Sequence, residues 1–124
     1  MSDLNGAWLG TYWQHQPVRF EMILVHGGDT ISGNILDDDS DLGEALVTGK
    51  VMGRSITFMK RYLMGQKHIV SYSGTISKDG NTMQGEWMIS YLSGAWEAHR
   101  LNDSLMAAFN SRVTKKLPAI ADNK

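Results

Sequence analysis

The chain has 124 residues, 42% of them hydrophobic, with a formal net charge of −1 from 12 Lys and Arg against 13 Asp and Glu. That length predicts one domain spanning 1–124, and the even charge argues against a surface dedicated to nucleic acid or acidic membrane, where phosphate neutralisation needs a basic surplus. Cysteine is absent, which excludes a disulfide framework, a Cys-ligated zinc site and a thiol nucleophile.

In chain order, the start Met1-Ser2-Asp3-Leu4-Asn5-Gly6 is acidic and lacks the apolar centre of a signal peptide. No later run approaches the roughly 18 apolar residues of a membrane span, so a cytoplasmic protein is expected. Period-two alternation, the mark of strands with one buried face, then dominates. Ala7 to Trp13 puts Trp8, Gly10 and Tyr12 on one face. Val18 to His26 does the same for Phe20, Met22 and Leu24, with Arg19 and Glu21 opposite. A Gly27-Gly28-Asp29 turn leads to Thr30 to Asp37, with Ile31, Gly33 and Ile35 together.

The rhythm continues. Glu44 to Met52 aligns Ala45, Val47, Gly49 and Val51, and Gly53-Arg54 turns into Ser55 to Tyr62, aligning Ile56, Phe58, Lys60 and Tyr62. His68 to Ser77 aligns Val70, Tyr72, Gly74 and Ile76. Lys78-Asp79-Gly80-Asn81 is a strong hairpin signal before Thr82 to Tyr91, where Met83, Gly85, Trp87 and Ile89 share a face. Ser93-Gly94 is read as the turn into the last strand, Ala95 to Leu101. About eight antiparallel strands over 7–101, joined by short connections, predict an all-β up-and-down barrel, with a sandwich as the other option. Mid-strand glycines at 10, 33, 49, 74 and 85 favour the barrel, because a closing sheet must coil sharply. After Leu101 the residues Asn102, Asp103 and Ser104 suit a helix N-cap, and Leu105, Met106, Phe109 and Val113 recur at helical spacing. Lys115, Lys116 and Pro118 then mark the end, so a short helix is predicted over about 103–115.

The frame Gly6-Ala7-Trp8-Leu9-Gly10-Thr11-Tyr12, with Gly94-Ala95-Trp96 near the end, resembles the small calycin-type barrels, the lipocalin and avidin-like group. It also resembles bacterial barrel proteins of unassigned function, which share this start and a Tyr-x-Gly-x-Ile middle, here Tyr72-Ser73-Gly74-Thr75-Ile76. The resemblance implies an up-and-down barrel with Trp8 near its floor. Biotin binding does not carry over, because the first strand offers only Thr11 towards a ureido ring.

Lys60 is the most informative residue. It shares the inward face with Phe58 and Tyr62, and a buried ammonium needs a partner or an anionic ligand. With Tyr12, Tyr72, Trp87 and Arg100, these residues predict an aromatic-lined cavity with a cationic end, suited to a small carboxylate or a fatty acid. The competing reading has Lys60 snorkelling into water or pairing with a carboxylate such as Glu97. The run Asp37-Asp38-Asp39-Ser40-Asp41 has hard-cation residue types but departs from the EF-hand pattern, and reads as a solvated loop. His15, His26, His68 and His99 lack ligand spacing.

No nucleophile elbow, phosphate loop or dinucleotide fingerprint is present, so neither an enzyme nor a cofactor or metal is expected. Two functions follow. One is a non-enzymatic small-molecule-binding barrel for a small anionic or apolar carboxylate ligand, lined by Tyr12, Phe58, Lys60, Tyr62, Tyr72, Trp87 and Arg100. The alternative is a protein-interaction module with a filled barrel, acting through its outer wall or loops, where Met59, Met88, Leu46, Ile23 and Trp13 fall outward and could support a homo-oligomer. The inward glycines favour a void, and the large residues Trp8, Phe58 and Trp87 favour a filled interior.

Overall fold

The computed structural model describes residues 3–38, 43–63 and 69–101. The helix expected over 103–115, His68, and Asp39 and Asp41 of the acidic run lie outside them. Eight strands form one closed antiparallel barrel in sequence order: β1 (Gly6–Trp13), β2 (Pro17–Gly27), β3 (Thr30–Asp37), β4 (Glu44–Met52), β5 (Ser55–Tyr62), β6 (Ile69–Ile76), β7 (Thr82–Ile89) and β8 (Leu92–Arg100). Closure comes from β1 pairing with β8 over Trp8↔Arg100 to Tyr12↔Trp96, which removes both exposed sheet edges. Among the described residues no helix is long and apolar enough to cross a membrane.

The last hairpin differs from expectation. Its turn is Ser90-Tyr91, with Ser90 in the left-handed region at φ 51°, while Ser93 and Gly94 sit inside β8 opposite Met88 and Trp87. Gly94 is therefore a sixth strand-interior glycine. The sequence is ambiguous at this position because glycine marks a turn and a close backbone approach equally well.

The interior glycines do not hollow the barrel. Four of them stand in register opposite a large ring: Gly10 opposite Phe20, Gly49 opposite Phe58, Gly85 opposite Trp96, and Gly94 opposite Trp87. A methyl group at Gly10 would run into the Phe20 ring, one at Gly74 into the Trp96 ring, and one at Gly94 into the Trp87 indole. At these three positions the missing side chain is thus a seat for a neighbouring ring, an aromatic–glycine complementarity across the strands, while at Gly33, Gly49 and Gly85 it lets the neighbouring backbone come close. The rings pack further on one another. Phe58 stacks on Tyr72 at 4.7 Å between centroids, and Trp96 meets both edge-on at 5.5 and 5.6 Å.

One barrel end is sealed by the chain's own start. Leu4 is fully buried, its N–H donates to His26 Nδ1 at 3.0 Å, and its carbonyl accepts from the Trp8 indole at 3.0 Å. Arg100 stacks its guanidinium on the Trp8 ring at 4.7 Å and donates to the carbonyls of Asp3, Asn5 and Gly80. This seal leaves the opposite end, where β1, β3, β5 and β7 finish, as the only way into the barrel that the described residues offer.

Gly85→Ala is expected to destabilise the barrel by about 3 kcal/mol, since the added methyl meets the Ser73 carbonyl and the Gly74 backbone, which cannot rotate away. Urea unfolding followed by Trp fluorescence measures this. A midpoint within error of wild type would show that the β6–β7 approach is looser than described.

Candidate functional site

At the open end the inward alternation of β1, β3, β5, β6 and β7 brings together Tyr12, Asp37, Lys60, Tyr62, Tyr72 and Trp87. Each lies on the face its strand buries, because successive side chains alternate between faces. Lys60 is 1% exposed. Its ammonium lies 3.4 and 3.3 Å from the two carboxylate oxygens of Asp37, whose side chain is fully enclosed. Tyr62 donates its hydroxyl to Asp37 Oδ2 at 2.5 Å, and Tyr12 donates to the same oxygen at 3.2 Å. Above the carboxylate, Lys60 Nζ is held against the rings of Tyr12 at 4.4 Å, Tyr62 at 4.9 Å and Tyr72 at 5.4 Å. The cation thus has one carboxylate and three aromatic faces, and the carboxylate has three donors.

The electrostatics follow from burial. Desolvation pushes the Lys60 pKa below its ordinary value, and the neighbouring Asp37 charge and hydrogen bond only partly offset it. Desolvation also pushes the Tyr62 hydroxyl well above the usual phenol range, reinforced by its bond to Asp37, and does the same for Tyr72. The cluster is net neutral, and among the described residues no buried side-chain polar atom lacks a hydrogen-bond partner.

Over this floor opens a pocket of about 140 Å³, walled by Tyr12, Gln14, Lys60, Tyr62, Val70, Tyr72, Trp87 and Ile89. Five of the seven residues expected to share a cavity therefore line one pocket: Tyr12, Lys60, Tyr62, Tyr72 and Trp87. Phe58 lies deeper, as the ring on which Tyr72 stacks. Arg100 is at the opposite end, in the seal described above, because β8 runs its C-terminal residues away from the mouth. Lys60 does pair with a carboxylate, as the competing reading has it, but with Asp37 rather than Glu97. It does not snorkel, and Glu97 faces outward beside His99, with their side chains 3.6 Å apart.

The partner is Asp37, which residue type alone assigns to a solvated acidic loop. The alternation that aligns Ile31, Gly33 and Ile35 inward continues to Asp37, and that parity is the signal that finds it. Its burial with Lys60 also takes this carboxylate away from any cation site in the acidic run. Among the described residues no group of three or more His, Asp or Glu is placed to hold a metal. His26 serves the seal through Leu4.

The interior leaves no room for the long chain of a typical fatty acid. Below the pocket the interior is occupied by Met22, Val47, Phe58 and Trp96, so a long chain has no path inward. A pocket of about 140 Å³ falls below the ~300–1,000 Å³ of drug-sized sites. No protein-family model matches this sequence, and no curated protein matches it.

Two predictions rest on the cluster. Asp37→Ala should destabilise by about 3–5 kcal/mol, because it leaves a buried ammonium without its counter-charge, while the double change Asp37→Leu with Lys60→Met should recover most of the loss. Denaturant unfolding of the two variants beside wild type tests this, and a double variant no better than Asp37→Ala would sink it. The second concerns alkaline pH. With Tyr62 and Tyr72 raised, the folded chain keeps protons that the unfolded chain loses above about pH 10, so stability falls as pH rises. Lys60, being lowered, opposes this only up to its ordinary value of 10.5, and one lysine against two tyrosines leaves the slope downward. Tyrosinate absorbance should therefore step up with unfolding in an alkaline titration, with a smaller step in Tyr72→Phe.

Proposed function

We propose that this protein is a non-enzymatic binding barrel whose open end takes one small, mainly apolar molecule carrying a single hydrogen-bond acceptor, a short carboxylic acid above all. The observation that carries this is the pocket itself, with apolar and aromatic walls over a polar floor that contains the Lys60 ammonium. An ammonium has three N–H donors, and Asp37 is its hydrogen-bond acceptor among the described residues. An acceptor descending between Tyr12, Tyr72 and Trp87 can take a further one.

Charge refines the ligand class. Asp37 already neutralises Lys60, so an incoming carboxylate would leave a net negative charge in an enclosed site, which is costly. The acid is therefore favoured with its proton, or as an uncharged carbonyl compound. Burial of the Trp87 ring in the wall gives the site its own optical reporter.

Native mass spectrometry compared with the denatured mass detects a retained molecule. Benzoic and hexanoic acids, titrated against Trp fluorescence between pH 4 and 7, should bind saturably and weaken about tenfold per pH unit above the acid's own pKa. In the charge-neutral variant Lys60→Met with Asp37→Asn, folded by circular dichroism, binding should be lost. Saturable binding that strengthens as pH rises to the acid's pKa and then levels off would replace the protonated acid with the anion. A clean apo mass together with no saturable response would end the ligand reading.

A second reading, an interaction module, has its own support. Met59 and Met88 are each 52% exposed and flank Ser71 across three neighbouring strands, with Ile69 beside them. Met59→Glu should abolish any concentration-dependent dimer seen by sedimentation. An unchanged dimer would place self-association elsewhere.

A further inference from the structure

The outer wall is not uniform. Over β5 to β8 a shallow depression carries Thr57, Ser73, Thr75, Gln84 and Glu86, and the exposed Met59, Ile69 and Met88 lie beyond it towards the open end. Over β1 to β3 it carries a groove of about 350 Å³ whose apolar lining includes Leu9, Ile23, Leu36 and Leu101, with Glu21 and Glu44 among its polar residues. Ile23 and Leu36 are 58% and 52% exposed on strands whose other face is fully packed. Exposed apolar side chains gathered in one groove have a free-energy reason to be covered, at about 25 cal/mol per Å².

The geometry points to the chain's own segment 102–124 as the occupant of this groove, with Leu105, Met106, Phe109 and Val113 laid over Leu9, Ile23 and Leu36. The tether comes first. Leu101 donates its N–H to the Ala7 carbonyl at 2.8 Å and its side chain lines the groove, so the described chain ends at the groove's edge on the β1 side. Length is the second argument. A helix over 103–115 would be about 20 Å long at 1.5 Å per residue, enough to cross three strands spaced about 4.8 Å apart.

Pattern is the third. On a helix turning about 100° per residue the four apolar residues fall within a stripe of about 100°, the width of a single buried face. The fourth argument is charge. The segment holds four basic residues, Arg112, Lys115, Lys116 and Lys124, against Asp103 and Asp122. Arg112 falls at the edge of the apolar stripe and Lys116 just past its last residue, where both can meet Glu21 and Glu44. The exposed Met59, Ile69 and Met88 on β5 to β7 lie towards the open end, whereas Leu101 leaves the barrel at the sealed end and lines the β1–β3 groove itself.

The absence of cysteine makes the test clean, because two introduced cysteines have only each other to oxidise with inside one chain. In the full chain, Leu36→Cys combined with Phe109→Cys should form an intramolecular disulfide under mild oxidation, read as a monomer of altered mobility and located by peptide mass mapping. The control pair, Met88→Cys with Phe109→Cys, reaches a wall far from the groove and should cross-link at least tenfold more slowly. Equal rates for the two pairs, or no cross-link in either, would overturn the proposal. A disulfide found only between two chains would overturn it in favour of a second copy as the occupant.

Discussion

Closing eight strands into a ring fixes the interior volume, and the rest of this structure depends on that constraint. A barrel of this size is only just wide enough to be filled by side chains or to hold one small ligand. Four tryptophans, four tyrosines and three phenylalanines are present, and most face inward, so the sequence has to make room ring by ring. It does so by register: a glycine on one strand faces a ring on the next at the Gly10–Phe20, Gly49–Phe58, Gly85–Trp96 and Gly94–Trp87 pairs. The glycines that would weaken isolated strands are the condition for closing this one. The pocket among Tyr12, Lys60, Tyr72 and Trp87 lies at the end that Leu4 and Arg100 do not seal.

The Lys60–Asp37 pair sits at the boundary between filled and unfilled space. Stability alone is a poor account of it. Desolvating two charges costs several kcal/mol each, and well-packed apolar residues of similar volume commonly do as well or better. The pair is tolerated because everything around it is arranged to satisfy it, with two tyrosine hydroxyls on the carboxylate and three ring faces on the ammonium. Such an arrangement is useful where a polar group must be presented inside an otherwise apolar wall, and it lies at the mouth rather than at the sealed end.

Much of this is legible in the amino-acid pattern. Period-two alternation places every strand to within a few residues, since one face of each is committed to the core, and it places Lys60 inward for the same reason. The departures have a common physical origin. Residue type puts Asp37 in an acidic run, whereas its parity with Ile31, Gly33 and Ile35 carries the information. Gly94 resembles a turn because one residue type serves both turns and close approach. Arg100 takes the expected face but the other end, because alternation tells which side of a sheet a residue takes and says nothing of height along the barrel axis. Height requires the register between strands, and register is set by the turns, including the Ser90-Tyr91 turn that has no glycine to announce it.

The two ends of the barrel are also built differently along the chain, and this bears on where function can reside. At the sealed end the β2–β3 and β4–β5 connections are two residues each, Gly28-Asp29 and Gly53-Arg54, with both glycines at positive φ. Turns of this kind match the twist of the strands and fix their register tightly. The β6–β7 connection at this sealed end spans residues 77–81; at the other end β1–β2 and β7–β8 are joined by residues 14–16 and 90–91, while the β3–β4 and β5–β6 connections span residues 38–43 and 63–68. Lengthening a connection there costs little, since loop-closure entropy grows only slowly with length. Residues carried on such loops, above a scaffold held by ring packing and by the Arg100 seal, can vary without disturbing closure. Short turns therefore set the register at both ends, and the open end, where Lys60 and Asp37 meet, adds the two longest connections of the barrel.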